Sequence, residues 1–249
     1  MNVRAFLAAA AVIFFAIGAG FDSSRRPPYG LVFFAPFNCG DAKDYSPYNA
    51  TPTLAGNAVI TAGNRYLTLD GTGDWVTTSD HAGLDVGDDF SVSFWVQPNA
   101  PGTGATRIPV ARYLAGSSKR SWVVSFRYAD TPQRIYGVVS GDGISTTIIY
   151  AFNLTLPTSG WHHVVMVYSK SNSAGSRVAM YYDGTALSVS TLINDSAVSP
   201  FATDIGVRIG NDNDGTASTA WKGDVDDVRL YNRALGSAES AQLYSAGRP

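Results

Sequence analysis

Hydrophobic and polar residues alternate with a period of two in most of the chain after residue 28. This pattern is typical of β-strands that bury one face. The segment DFSVSFWVQP at Asp89–Pro98 has Phe or Val at every second position, and residues 161–168 and 177–182 repeat the alternation. The dipeptide Asp183-Gly184 comes next and predicts a hairpin turn between two strands.

Further strands are predicted in short segments between turns rich in Gly, Asn, Asp and Pro: Leu31–Phe37, Tyr66–Leu69, Trp75–Thr78, Ile108–Arg112, Ser121–Tyr128, Arg134–Val139, Thr146–Tyr150, Gly206–Ile209 and Asp224–Tyr231. About a dozen short strands separated in this way favour a two-sheet sandwich. One helix is predicted at the C-terminus, where Ser237 can cap its start and Gly247 can end it. Since no internal linker or repeat is visible, residues 29–249 are predicted to form one domain.

The first 28 residues differ from the rest of the chain. Ala5–Phe21 is an uncharged, mostly apolar run, and Pro27-Pro28 follow it closely. Three interpretations stay open: a secretory signal peptide, a membrane anchor, or an apolar arm that is buried in an assembly. We expect residues 1–28 to be separable, so that a chain beginning at Tyr29 folds as a soluble, β-rich monomer.

The charge and the residue composition of the chain limit the classes of partner that we expect. The 249 residues include 18 Lys and Arg against 20 Asp and Glu, which gives a net charge of −2. Nucleic acid is not an expected partner, because phosphate binding depends on an excess of Lys and Arg. Glu239 is the only glutamate, and the preference for Asp suits a turn-rich β protein. Cys39 is the only cysteine, so no disulfide can form within the chain.

Four segments, in order along the chain, resemble segments of laminin G-like domains, which have the concanavalin A-like jelly-roll fold. They are LDGTGDWV at Leu69–Val76, FSVSFWVQP at Phe90–Pro98, GWHHVVMVY at Gly160–Tyr168 and WKGDVDDVRLYNRAL at Trp221–Leu235. The resemblance implies an all-β jelly roll of two antiparallel sheets with a short C-terminal helix. It also implies that Trp95 and Trp161 lie in the core.

The resemblance further implies one structural Ca²⁺, for which Asp226 or Asp227 is the best side-chain ligand. In the sequence itself, the two aspartates interrupt the alternation between Val225 and Val228. Either a β-bulge lies at this pair, or the strand is buried on both faces. A bulge would turn one carboxylate towards a neighbouring loop, and that structural role needs no ligand.

The residues predict that the protein is not an enzyme. Glycoside hydrolysis generally needs two carboxylates at the scissile bond, and the glutamate motif that jelly-roll hydrolases carry on one strand cannot exist with Glu239 alone. Asp224 shares a predicted strand with Asp226 and Asp227, but non-catalytic relatives also carry Asp-Asp there. No GxSxG, HExxH or Cys–His–Asn arrangement is present.

Sugar binding would need exposed aromatic rings beside polar groups. The candidate ligand-binding residues are Trp122, Tyr128, Tyr136 and Trp221, and arginines lie near both tyrosines in the sequence. Trp122 stays ambiguous, because the alternation over Ser121–Tyr128 also allows it to face the core.

Two functions from different classes therefore remain. The first is a non-catalytic surface-recognition or adhesion module that binds a glycan or a cell-surface protein. The second is a structural or decoration protein of a virion or extracellular assembly, in which residues 1–28 insert into the assembly or join a homo-oligomer. Both functions predict an extracellular or surface-exposed location.

Overall fold

The computed structural model describes residues 29–60, 63, 65–102, 105–212 and 218–248. Within these ranges the backbone forms one α-helix, α1 at Ser237–Ser245, and sixteen strands: β1 Leu31–Ala35, β2 Pro52–Ala55, β3 Val59–Ile60, β4 Leu67–Asp70, β5 Trp75–Thr78, β6 Asp89–Pro98, β7 Thr106–Leu114, β8 Lys119–Arg127, β9 Arg134–Gly143, β10 Ile148–Asn153, β11 His162–Ser169, β12 Val178–Tyr182, β13 Thr185–Ala186, β14 Val189–Asp195, β15 Arg208–Ile209 and β16 Lys222–Tyr231. The predicted N-terminal segment, residues 1–28, lies outside the described residues and stays a prediction. No helix in the described ranges is long and apolar enough to cross a membrane.

The strands of the described ranges form two antiparallel sheets. Sheet A has the order β13-β12-β11-β6-β16-β4-β3, and β1 also pairs with β16. Sheet B has the order β14-β10-β9-β8-β7-β15-β5-β2. The predicted all-β, two-sheet jelly-roll sandwich with a short C-terminal helix is therefore confirmed.

The alternation in β6 builds the centre of the sandwich. Phe90, Val92, Phe94 and Val96 are fully buried in the main apolar cluster between the sheets, as the pattern predicted. Sheet B contributes the inward-facing side chains of its central strands to the same cluster: Trp122, Val124, Phe126, Ile135, Val139, Ile148, Tyr150 and Phe152. Because burial of each large apolar side chain contributes about 1.5–3 kcal/mol, this layer is the main stabilising element of the fold.

The predicted hairpin lies between β12 and β13. Its two loop residues, Asp183 and Gly184, have φ angles of 47° and 74°, as a type I′ turn requires. The Asp183 carboxylate accepts a 2.8 Å hydrogen bond from the backbone N–H of His163 and lies 2.8 Å from Nδ1 of His162. These contacts tie the turn to the neighbouring strand β11.

The two tryptophans that the resemblance assigns to the core have different surroundings. Trp95 is buried, but on the outer face of sheet A, where its ring stacks 5.7 Å from the ring of Tyr244 in α1. Trp161 precedes β11 and is only half-buried. Its ring contacts Tyr66 at 5.4 Å and the guanidinium of Arg248 at 4.3 Å. The prediction that Trp161 is a core anchor was wrong, because the strand begins only after this residue.

The outer faces of the two sheets are covered differently. On sheet A, residues of β1, β11, β16 and the segment before α1 form a second apolar cluster: Leu31, Phe34, Val165, Val167, Tyr231 and Leu235. On sheet B, outward-facing side chains form a third cluster: Ile108, Ala111, Tyr113, Val123, Tyr136, Val138 and Ala151. Arginine side chains lie across its tyrosine rings, Arg120 over Tyr113 at 5.6 Å and Arg127 over Tyr136 at 5.0 Å. The outer face of sheet B thus combines apolar surface with positive charge.

Candidate functional site

A groove of about 600 Å³ opens where the turn between β8 and β9 meets the end of β10. Its lining is mostly polar and uncharged: Tyr128, Asp130, Thr131, Pro132, Gln133, Asn153, Leu154 and Thr155. Thr131, Pro132, Asn153 and Thr155 are exposed to solvent. We call this feature the β8–β9 groove.

Hydrogen bonds hold both walls of the β8–β9 groove in place. Gln133 joins the walls, because its backbone carbonyl accepts from the N–H of Leu154 at 3.1 Å and its side-chain Oε1 accepts from the N–H of Leu156 at 3.0 Å. The hydroxyl of Tyr128 donates to the carbonyl of Pro157 at 2.7 Å. The groove is therefore formed by contacts between two segments that the fold brings together.

A polar network surrounds Tyr136 beside the groove. The Tyr136 hydroxyl donates to Oδ2 of Asp130 at 2.7 Å and accepts from Nη1 of Arg134 at 3.3 Å. Arg134 Nε also donates to Oδ1 of Asn153 at 3.3 Å. The hydrogen bond with Tyr136 raises the pKa of Arg134, and burial raises the pKa of Tyr128. Both side chains therefore keep their protons at any physiological pH.

The structure separates the four aromatic candidates into two pairs. Tyr128 lines the groove, and Tyr136 lies beside it on the opposite face of sheet B; the two residues are only 5% and 7% exposed. Trp122 and Trp221 have no exposed surface and belong to the core between the sheets. The prediction that these two tryptophans contact a ligand is corrected here, because neither ring presents a face to solvent. Trp221 instead packs edge-on against Phe126 at 5.3 Å.

Most residues that line the groove are not predicted by the sequence pattern. Asp130–Gln133 belong to a turn, and Asn153–Thr155 begin at the last residue of β10 about 20 residues later, so no local pattern links them. One signal is present: the segment RYADTPQR at residues 127–134 places Asp and Thr-Pro between two alternating strands, with an arginine at each end. In the sequence, these arginines stand out only as neighbours of Tyr128 and Tyr136.

Of the two alternatives for the aspartate pair in β16, the structure shows the bulge. The register with β6 shifts between Asp226 and Arg229, and Asp227 has a φ of 49°. Asp226 Oδ2 accepts from Nη1 of Arg248 at 3.0 Å, and Asp227 Oδ1 lies 2.8 Å from Nη2 of Arg229. Asp226 thus reaches the segment after α1, as expected for a bulge that redirects one carboxylate.

These two aspartates do not fit a calcium ion as they stand. Ca²⁺ takes six to eight oxygen ligands, whereas each carboxylate here faces a guanidinium group. No group of three or more His, Cys, Asp or Glu residues in the described part of the chain is arranged to hold a metal ion. Calcium binding stays a prediction, and at this pair it would require both arginines to move away.

Burial of the pair predicts a pH-dependent stability. Burial, with the neighbouring charge of Asp227, raises the pKa of Asp226 from 3.8 to about 7. The folded state then holds a proton that the unfolded state has lost, so stability falls as the pH rises from 4 to 7. Compared with the Asp226→Asn variant, the unaltered chain should lose up to about 1.4 kcal/mol per pH unit over this range. Urea unfolding at pH 4.5, 6 and 7.5 measures the free energy of unfolding of both proteins. If this free energy changed with pH in the same way for both, the raised pKa of Asp226 would be disproved.

A laminin G-type sequence profile of the concanavalin A-like lectin/glucanases superfamily matches residues 70–240. The chain belongs to this superfamily. The match includes both segments that form the β8–β9 groove, and it confirms the resemblance seen in the four motifs. No curated protein matches the sequence of this superfamily member.

Solved structures with the same fold include botulinum neurotoxin domains. The lectin-like chain superimposes on the receptor-binding domain of the C/D mosaic serotype with a TM-score of 0.67 and 15% identity, covering 88% of this chain and 51% of that one. For the type G receptor-binding domain the values are 0.63, 15%, 87% and 51%. For the serotype D ligand-binding domain, solved with N-acetylneuraminic acid, they are 0.62, 13%, 88% and 51%. The chain spans about half the length of these domains, and the likeness is one of fold.

Proposed function

We propose that this chain is a non-catalytic, extracellular glycan-binding module and that the β8–β9 groove is its binding site. The observation that carries the proposal is the lining of the groove. Thr131, Gln133, Asn153 and Thr155 offer hydroxyl and amide groups, while Pro132 offers apolar surface. A sugar presents hydroxyl groups beside C–H surface, and this mixture of donors, acceptors and apolar contacts matches both.

The comparisons support a glycan as the ligand class. One similar structure is a neurotoxin domain in complex with N-acetylneuraminic acid, and another is described by the dependence of type C cell entry on two ganglioside molecules. Those domains are about twice as long as the region they share with this chain. Their ligands therefore support the class of molecule, and the groove itself supports the position.

The groove offers little for hydrolysis. Asp130 is the only carboxylate that lines it among the described residues, and it accepts a hydrogen bond from Tyr136. Glycosidases generally place two carboxyl groups on either side of the scissile bond. We therefore propose binding without turnover. The alternative, a decoration protein of a virion or extracellular assembly, depends on residues 1–28, which lie outside the described ranges.

A glycan array probed with the full chain tests this proposal. The protein should come from a bacterial host that does not glycosylate the Asn153-Leu-Thr sequence at the groove. Binding to a defined set of glycans is expected, and Thr155→Ala should weaken it about tenfold, because one hydrogen bond to the ligand is lost. Thr185→Ala, an exposed threonine on the edge strand β13, is the matched control and should bind normally. Equal binding by all three proteins would rule out the groove.

A further inference from the structure

We propose that the β8–β9 groove selects acidic glycans and that Arg127 and Arg134 bind the carboxylate or sulfate group. The inference rests on the proposed function and specifies its ligand class. Its starting point is the pairing of the two arginines, which stand directly opposite each other on β8 and β9. Like charges at opposed positions of an antiparallel pair repel each other, so the fold holds two cations together beside the groove, where Arg134 donates to Asn153 of the groove lining.

Both arginines lie on the outer face of sheet B. Their neighbours in sequence, Phe126 and Ile135, are also opposite each other and are fully buried in the core. Since successive side chains of a strand point to opposite faces, the guanidinium groups project outward. Arg127 is exposed and Arg134 is partly exposed, so both are accessible to a ligand.

The positive charge of this pair is only partly balanced. Asp130 Oδ2 lies 3.9 Å from Nη1 of Arg134, which is a long ion pair, and the same oxygen already accepts from Tyr136. Arg127 lies over the Tyr136 ring at 5.0 Å and has no carboxylate within 4.0 Å among the described residues. Asp130 therefore pairs with one of the two guanidinium groups, and the charge of Arg127 is left without an acidic partner in the described residues. The whole chain has a net charge of −2, so this excess is a local property.

The arginine pair lies next to Asn153, a residue that lines the groove. Asn153 on β10 stands opposite Arg134, so Arg127, Arg134 and Asn153 form a row across three adjacent strands. With neighbouring strands about 4.8 Å apart, the row is about 10 Å long. An acidic group at the arginine end would accept charge-assisted hydrogen bonds, which are about twice as strong as neutral ones. The hydroxyl groups of the same ligand would then reach Asn153 and Thr155.

Arginine suits this role better than lysine. Its planar guanidinium can donate two parallel hydrogen bonds to a carboxylate or a sulfate. The ring of Tyr136 beneath Arg127 and the oxygen atoms around Arg134 hold both groups in place before a ligand arrives. Such preorganisation lowers the entropy lost on binding.

The test uses the full chain and matched oligosaccharides. Each neutral glycan is compared with a sialylated form and a sulfated form that have the same core structure. Binding is measured first on an array and then by calorimetry. The acidic forms should bind at least about tenfold more tightly than their neutral partners. Arg127→Gln should reduce this ratio to near one, whereas Lys119→Gln, at the other end of β8 and partly exposed, should leave it unchanged. Arg127→Lys should restore only part of the preference.

The outcomes separate the two claims. Equal binding of neutral and acidic glycans, or a ratio that survives Arg127→Gln in a protein with an unchanged melting temperature, would overturn the acidic selectivity and leave glycan binding intact. Binding to none of the glycans would overturn the proposed function as well. Tighter binding to a short DNA duplex than to any acidic glycan would show that the arginine pair serves a different polyanion.

Discussion

Replacing Arg112 by alanine is expected to lower the free energy of unfolding by about 3–5 kcal/mol, as the loss of a buried charged group that holds several hydrogen bonds usually does. The Arg112 side chain has no exposed surface. Its guanidinium donates hydrogen bonds to five oxygens of two segments, residues 80–85 and 203–205: the carbonyls of Leu84, Thr203 and Ile205 and the carboxylates of Asp80 and Asp85. Alanine would leave buried carbonyl groups without donors, at a cost of about 1–3 kcal/mol each.

Two further variants distinguish this role from an ordinary surface ion pair. Arg112→Lys keeps the charge, but a lysine cannot donate to five acceptors at once. This variant should therefore still lose a substantial part of the stability that Arg112→Ala loses. Lys119→Ala removes the nearby ion pair with Asp204, whose two side chains are 36% and 73% exposed, and should change stability by no more than about 1 kcal/mol. Denaturant unfolding measures the free energy of unfolding of all three variants. A loss of stability in Arg112→Ala no larger than that in Lys119→Ala would contradict the stabilising role of Arg112.

Trp221→Ala is expected to destabilise the fold by about 3–5 kcal/mol, the usual range for a fully buried large aromatic side chain. The ring is enclosed by the core between the sheets, and its Nε1 lies 3.3 Å from the carbonyl of Asp224. Truncation would leave a cavity and remove the Nε1–H donor of this hydrogen bond. Trp161→Ala should cost less than half as much, because that ring is half-buried at the end of the sandwich.

Thermal melting of the two tryptophan variants compares these positions directly. We expect a much larger drop in melting temperature for Trp221→Ala than for Trp161→Ala. The reverse order would mean that Trp161 is the core anchor that the family resemblance implied, and that the position of Trp221 between the sheets is wrong.

The parts of the fold that the sequence predicted well are those with a clean alternation. β6 is one example: its inward row of Phe and Val is visible in ten residues, and the structure confirms it. Asp183-Gly184 is another, because the turn type depends on these residues alone. The edge strand β14 has no such pattern, since Val189, Leu192 and Ile193 are all substantially exposed.

The candidate site was less predictable for a physical reason. The alternation of β8 places Trp122 on one face, but it does not say which face is covered by the other sheet. The contact of Gln133 with Leu154 and Leu156 joins segments about 20 residues apart, and tertiary structure alone brings them together. The opposed position of Arg127 and Arg134 likewise depends on the register of two strands, which the turn between them sets.

Amide chemical-shift mapping tests the central claim, glycan binding in the β8–β9 groove, most directly. The full chain is titrated with the glycan that binds most tightly on the array, and the shift changes are assigned to residues. The largest changes are expected in residues 128–134 and 153–156. Changes confined to the outer face of sheet A around α1, or no change at a saturating glycan concentration, would contradict the account.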